Sequence, residues 1–348
     1  MALPFVLRRP WLLLHGALAS RDRPPLARLR SIEDPERFLW AVLPHAARTF
    51  GACILLLPAG KARAAAIAYL YARILDTYED LCPELDVRER ALRILGARLG
   101  ADPPAPAPPL EFPLRQDDRD DGHLLLVEKT GLIDRLYLAL GGEERAAIRD
   151  LIGAMAEGMC WSSRRLAEQG GALADEAQLL RYCRNVLGQP VAFTLRLLLG
   201  EEPPEGLRED AMAVGEMVQL ANIIRDVEKD ARRGIAYDPR LRGDPGPATV
   251  REVRGRLLDL ALRRAPAYRR MLDGMRLGRY SLTRASALLM LHFTSRHFRR
   301  CARGLGRPGW HSPGSLAGLL LRALPAACSP RWAGREIAFL EAAFVRAC

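Results

Sequence analysis

The sequence predicts an all-α protein. Ala, Leu and Arg, which all favour helix, dominate it, while Val, Ile and Thr are sparse. No run keeps the period-2 alternation of a half-buried strand. With 49% hydrophobic and 27% charged residues, the chain has ordinary globular usage, which excludes disordered and collagen-like classes. At 348 residues it is long enough to bury about 75% of its unfolded surface without disulfide staples. Its seven cysteines, at 53, 82, 160, 183, 301, 328 and 348, are odd in number and form no C-x-x-C. A disulfide framework or zinc ribbon is therefore not expected, and a reducing, cytoplasmic compartment is. We expect a single all-α domain over residues 1–348, with 1–34 as a peripheral N-terminal segment and 101–121 as a Pro-rich loop.

Taken in order, residues 11–19 (WLLLHGALA) follow Arg8 and Arg9 and have the outline of a short signal peptide. The apolar run is broken by His15, which argues against cleavage. Residues 101–113 (ADPPAPAPPLEFP) hold six prolines. Proline lacks the amide hydrogen that a helix needs, so this is a loop, read as a connection between two helices of one bundle. Residues 200–209 (GEEPPEGLRE) and 238–247 (DPRLRGDPGP) break the helical pattern again. No uncharged apolar stretch reaches 18 residues; the longest candidate, SLAGLLLRALPAAC, carries Arg322 and Pro325, so no membrane-spanning helix is expected. The formal net charge is +11, mostly from arginine. That balance suits anionic substrates or peripheral contact with an anionic membrane, and arginine-rich codon usage explains it equally well.

Two segments carry chemistry. In IAYLYARILDTYED, apolar Ile67, Leu70, Tyr71, Ile74 and Leu75 recur at helical spacing. Asp76 and Asp80 are four apart and share a face, Glu79 is adjacent, and Arg73 and Tyr69 lie one and two turns earlier. In QLANIIRDVEKD, Asn222, Asp226 and Asp230 form a second polar stripe, with Ile223, Ile224 and Val227 on another face. A single D-x-x-x-D on a helix is usually a solvated face. Two of them, each among apolar residues and each beside an arginine, point instead to a site. Mg²⁺ takes oxygen ligands and keeps several waters, so two such stripes with substrate phosphates could hold two or three ions. Arg48, Arg73 and Arg225 could neutralise the remaining phosphate charge.

These segments resemble the squalene/phytoene synthase family, the head-to-head prenyl transferases. ARTFGACILLLP (residues 47–58) is similar to the family's N-terminal segment. YLYARILDTYED (69–80) is similar to its first Asp-rich motif, in a form closer to squalene than to phytoene synthases. MAEGM (155–159) and RYCRNVLG (181–188) resemble its two central signatures, and QLANIIRDVEKDARRGIAYDP (219–239) its second Asp-rich motif and flap. The likeness covers roughly residues 35–300.

The resemblance implies an isoprenoid-synthase helical bundle around a central apolar cavity. It implies the joining of two prenyl diphosphates, farnesyl diphosphate or longer, with two farnesyl diphosphates giving presqualene diphosphate and then squalene. By matched position, Asp76, Glu79, Asp80, Asn222, Asp226 and Asp230 would form the metal and diphosphate shell, and Arg48, Arg73 and Arg225 the diphosphate clamps. Tyr69 and Tyr182 would lie near the reacting carbons and Phe50 near the cation. Gln219 would sit one turn before the second stripe, and Tyr237 on the closing flap. Relatives stop at presqualene diphosphate or make phytoene or dehydrosqualene. A class I terpene cyclase is a further variant, and some relatives are non-catalytic assembly factors that have lost the acidic ligands.

The chain departs from the family pattern at several points. Ala47 replaces the usual Ser, and Asn185, Gln189 and Pro190 stand where small residues normally let two helices approach. No motif for NADPH, the hydride donor of reductive members, is evident after residue 280. GLGRPG (304–309) fits G-x-G-x-x-G but follows no strand, so it reads as a loop. The six histidines show no ligand pairing for zinc. Arg296, Arg299, Arg300 and Arg303 form a basic cluster without interleaved aromatics, so no nucleic-acid partner is expected; the cluster reads as a solvated face, or secondly as a contact for anionic lipid.

Overall fold

A computed structural model describes residues 4–18, 24–111, 113–115 and 118–348, with the side chains of residues 17, 18, 48, 49 and 119 outside the description. The described residues are helical apart from turns, loops and one isolated parallel bridge between Ala172 and Ala236. The all-α expectation holds. The chain divides into two compact units, Met1–Ser163 and Arg164–Cys348.

The first unit contains α1 (Phe5–Leu18), α2 (Leu26–Arg30), α3 (Pro35–Leu55), α4 (Ala59–Leu81), α5 (Leu85–Ala97), α6 (Arg119–Glu128), α7 (Thr130–Leu138) and most of α8 (Gly142–Glu168). Asp34 caps α3 by accepting from the Arg37 amide at 2.7 Å, and Pro35 occupies its first turn, where no amide hydrogen is needed. α4 is the core of the unit. Its Ala62, Ala64, Ala66, Ile67, Leu70, Ile74, Leu75 and Tyr78 are buried against α3, α6 and α7. It stops where Cys82 turns extended ahead of Pro83, because a residue before proline avoids helical geometry.

The Pro-rich segment is held down rather than loose. Pro108 O accepts from the buried Tyr78 hydroxyl, Ala105 O from Arg98 Nε at 2.7 Å, and Leu81 O from the Leu114 amide at 2.8 Å. Within the expected 101–121 loop, α6 already begins at Arg119. Asp120 and Asp121 stand in its first turn, where acidic side chains suit the helix dipole. Beside the loop, Arg98 makes a two-pronged pair with Asp134 at 3.0 and 2.6 Å, and Tyr71 donates to the same carboxylate at 2.8 Å.

The second unit contains α9 (Glu176–Cys183), α10 (Gln189–Leu199), α11 (Glu205–Arg232), α12 (Pro247–Leu262), α13 (Ala265–Gly274), α14 (Leu282–Gly304), α15 (Leu316–Ala323) and α16 (Pro330–Ala347). α11, 28 residues long, packs against α10, α12, α13 and α14. The two sequence breaks fall here. The 200–209 break is shorter than expected, because Pro204 directly precedes the first turn of α11. Gly200, at φ +80°, ends α10 in the left-handed conformation that favours glycine. The 238–247 break holds a short 3₁₀ turn, Pro239–Leu241, and ends at Pro247 in the first turn of α12.

Candidate functional site

In the first unit, helical spacing puts Tyr69, Arg73, Asp76 and Asp80 on one face of α4. Arg73 donates to the Tyr69 hydroxyl at 3.1 Å and pairs with Asp76 at 3.1 Å. The Tyr69 hydroxyl donates to Ala46 O on α3 at 3.2 Å, and the Phe50 ring lies 5.9 Å from the Tyr69 ring. Four expected site residues therefore form one connected group. Arg73 Nε is buried and without a hydrogen-bond partner, an N–H still open to an acceptor. Burial pulls the Arg73 guanidinium down, but Tyr69 and Asp76 more than offset it, so it stays charged.

The acids of this face are crowded. Burial, and then the Asp80 charge, push Asp76 up to about 6 against the pull of Arg73. Burial, Asp80 and Asp76 push Glu79 up to about 8, although Ser162 donates to it at 3.2 Å. Like charges in a partly dry site raise one another's proton affinity, and a cation relieves the same strain. The donor set is all oxygen, which fits Mg²⁺ rather than a soft metal. Among the described residues, no three His, Cys, Asp or Glu side chains by themselves make a metal-holding cluster. An ion that shares its shell with water and phosphate does not require one. Arg48 lies on α3, but its side chain falls outside the described residues.

In the second unit, the polar stripe of α11 is a connected chain. Asn222 donates to Gln219 at 3.2 Å, Arg225 donates to Asn222 at 3.2 Å, and Arg225 grips Asp226 at 2.9 and 2.5 Å. The hydrogen bond to Asp226, and then Asp226 and Asp230 as charges, outweigh burial and hold Arg225 above its usual range. Arg225 also lines a basic cleft of about 720 Å³ between α11, α12 and α14, with Arg251, Arg254, His297 and Arg300. The other arginines of the α14 cluster differ in role: Arg296 and Arg299 donate to the carbonyls of Gly314 and Trp310.

Tyr182 and Tyr237 pair with each other, with hydroxyls 3.3 Å apart and rings 5.3 Å apart. The segment carrying Tyr237 is tethered. The Leu173 amide donates to Ala236 O at 3.0 Å, and the Ala236 amide to Gly171 O at 2.8 Å. Gly171, at φ +86°, leaves no room for a side chain, since a Cβ there would lie 2.2 Å from Gly234 O. Just beyond, Asp238 is buried with Arg240 at 3.0 Å and Arg256 at 2.5 Å; burial raises its proton affinity, but these arginines hold it below its usual range.

Sequence reasoning missed two features near Tyr182. Residues Arg184–Gly188 form a π-helical turn between α9 and α10, which takes up Asn185 and places Pro190 in the first turn of α10. The close approach of helices persists through other residues: a Cβ on Gly215 of α11 would stand 2.4 Å from Gly188 Cα. The buried Glu216 joins three elements, accepting from Arg184 Nε at 2.6 Å and from Arg264 Nε. Its surroundings, AVGEMV (213–218), match no motif. The only sequence signal is an acid inside the apolar run of α11.

The family profile described as squalene/phytoene synthase matches residues 43–304. No curated protein matches the chain. Among solved structures, the complex of TcSQS, a squalene synthase, with the ligand BPH1237 aligns at a TM-score of 0.71 and 19% identity, covering 90% of this chain and 92% of that one. The TcSQS complex with E5700 aligns at 0.70 and 20%, covering 90% and 91%. At that identity the likeness carries the fold.

Proposed function

The chain belongs to the squalene/phytoene synthase family, and on that premise we propose that it condenses two farnesyl diphosphates head to head, through presqualene diphosphate, to squalene. The observation that carries this reading is the connected face of α4, where Tyr69, Arg73 and Asp76 are linked and Asp76 and Glu79 are held at raised proton affinity. Family members generally use a divalent metal. Asp76, Glu79, Asp80, Asn222, Asp226 and Asp230 are the side chains that would hold Mg²⁺. When bound, it would supply positive charge to a departing diphosphate.

The chain's own residues do the rest. Arg73, charged and with a free buried N–H, binds a diphosphate oxygen. Arg225, already oriented by Asp226 and Asn222, does the same on α11. Tyr69, fixed between Ala46 O and Arg73, presents its ring with Phe50 to an allylic cation, whose charge the π faces stabilise. Tyr182 and Tyr237 offer paired hydroxyls to orient a leaving group or take up a proton. The apolar cavity that the family resemblance implies would exclude the water that quenches such a cation.

Purified protein should be incubated with farnesyl diphosphate or, in parallel, with geranylgeranyl diphosphate, each with Mg²⁺ and NADPH, followed by assay of diphosphate and extraction of hydrocarbons. Diphosphate release with a C30 product that needs NADPH is expected. Phytoene or dehydrosqualene as product would replace the squalene reading, and no diphosphate release under any condition would end the enzyme reading.

A further inference from the structure

We propose that the outward face of α1 docks on an anionic lipid bilayer. The helix FVLRRPWLLLHGAL has two distinct sides. The inward side is anchored in its own unit. Arg9 is buried and donates to Leu57 O at 2.9 Å, Leu12 is buried, and the Phe5 ring lies 4.8 Å from Trp40. The outward side is apolar where a helix facing water would be polar. Val6, Leu7, Trp11 and Leu14 are 58%, 65%, 57% and 58% exposed. At 100° per residue these four and Pro10 fill one continuous arc of about 140°.

Two observations choose lipid as the occupant. The outward side carries Arg8 and His15, which fall at the edge of the arc beside Trp11, and the helix has no carboxylate. That charge complements anionic headgroups. The Trp11 ring stacks on His15 at 5.1 Å, placing an amphipathic indole at the boundary between the apolar arc and the basic edge, as membrane interfaces favour. At 14 residues the helix is about 21 Å long, short of the ~30 Å hydrocarbon core. It would lie in the interfacial plane rather than cross. A second copy of the chain is the weaker occupant, because one helix face is small beside the ~800 Å² per partner of a stable dimer. The docking rests on the proposed prenyl transfer only for its purpose: the prenyl tails and the hydrocarbon product both partition into lipid.

The test is flotation of the full chain with vesicles of phosphatidylcholine, with and without an equal share of phosphatidylglycerol, alongside a Leu7→Glu/Trp11→Glu variant. Both substituted side chains are exposed, so the variant should fold and retain wild-type prenyl transfer in detergent. The wild type should float with the phosphatidylglycerol vesicles, more weakly without it, and the variant should lose at least about tenfold in bound fraction. A wild type that stays unbound to both vesicles, or a variant that floats equally well, overturns the proposal. So does a wild type that is dimeric and unbound while the variant is monomeric. Flotation needs no turnover, so a failed prenyl-transfer assay would sink the function without touching this result.

Discussion

Gly215 of α11 stands against Gly188, the last residue of the π-helical turn, at a distance no side chain can enter: a Cβ on Gly215 would come 2.4 Å from Gly188 Cα and 2.5 Å from Leu187 O. The obstacle is backbone, so it cannot swing aside. Gly215→Ala should therefore force the two elements apart and cost about 1–3 kcal/mol, or more if the turn unravels. Urea unfolding of wild type and variant measures this, with Gly206→Ala, which meets no neighbouring atom, as the control. An unchanged midpoint would show that the crossing is looser than described.

Arg98 is almost wholly buried, and Asp134 is its paired carboxylate. Removing one partner of such a pair leaves a buried charge uncompensated, at about 3–5 kcal/mol. Asp134→Ala should lower stability by that order. Asp134→Asn, which keeps an acceptor for Tyr71 and Arg98, should recover part of the loss. Chemical denaturation of the three proteins checks the ranking.

Loss of either acidic stripe should stop turnover without unfolding the chain. Asp80→Ala and Asp226→Ala should each lower kcat by at least about 10²-fold. Far-UV circular dichroism should be unchanged, because Asp80 is exposed and Asp226 only half-buried. Near-normal rates in either variant would remove that residue from the site.

His292 is buried on α14, with its Nε2 3.3 Å from a Glu336 oxygen that also receives Arg322 at 3.3 Å. Burial, and then the Arg322 charge, push it down to about 4 from an ordinary value of 6.5. The folded state therefore binds this proton less readily than the unfolded chain. The stability that comes from keeping His292 neutral is complete above about pH 6.5 and is lost as the pH falls towards 4, by about 3 kcal/mol in all. Unfolding free energies at pH 7 and pH 5 should show this decline in wild type and a flatter response in His292→Gln.

Local signals made much of the molecule legible in the sequence. The spacing of Ile67, Leu70, Ile74 and Leu75 marked α4, prolines marked the breaks, and four-residue spacing put Asp76 with Asp80 and Asn222 with Asp226. The linkage of Tyr69 to Arg73 and Asp76 followed from the same helical period. What could not be read there depends on partners distant in sequence. Tyr71 meets Asp134 from 63 positions away, and Arg264 meets Glu216 from 48. No periodicity encodes such pairings, because they arise only once helices pack. The Gly188–Gly215 crossing is of the same kind: Asn185, Gln189 and Pro190 drew attention by departing from the family pattern, while the contact itself runs through two glycines.

The proline-rich tract has a practical consequence for anyone dividing the gene. Its composition invites a cut between residues 101 and 113, as though a tether joined two independent pieces. Yet its carbonyls are what the Tyr78 hydroxyl and Arg98 Nε bond to. A fragment ending at residue 100 would strand both donors in a greasy interior, and would expose the end of the helix that carries Asp76 and Asp80.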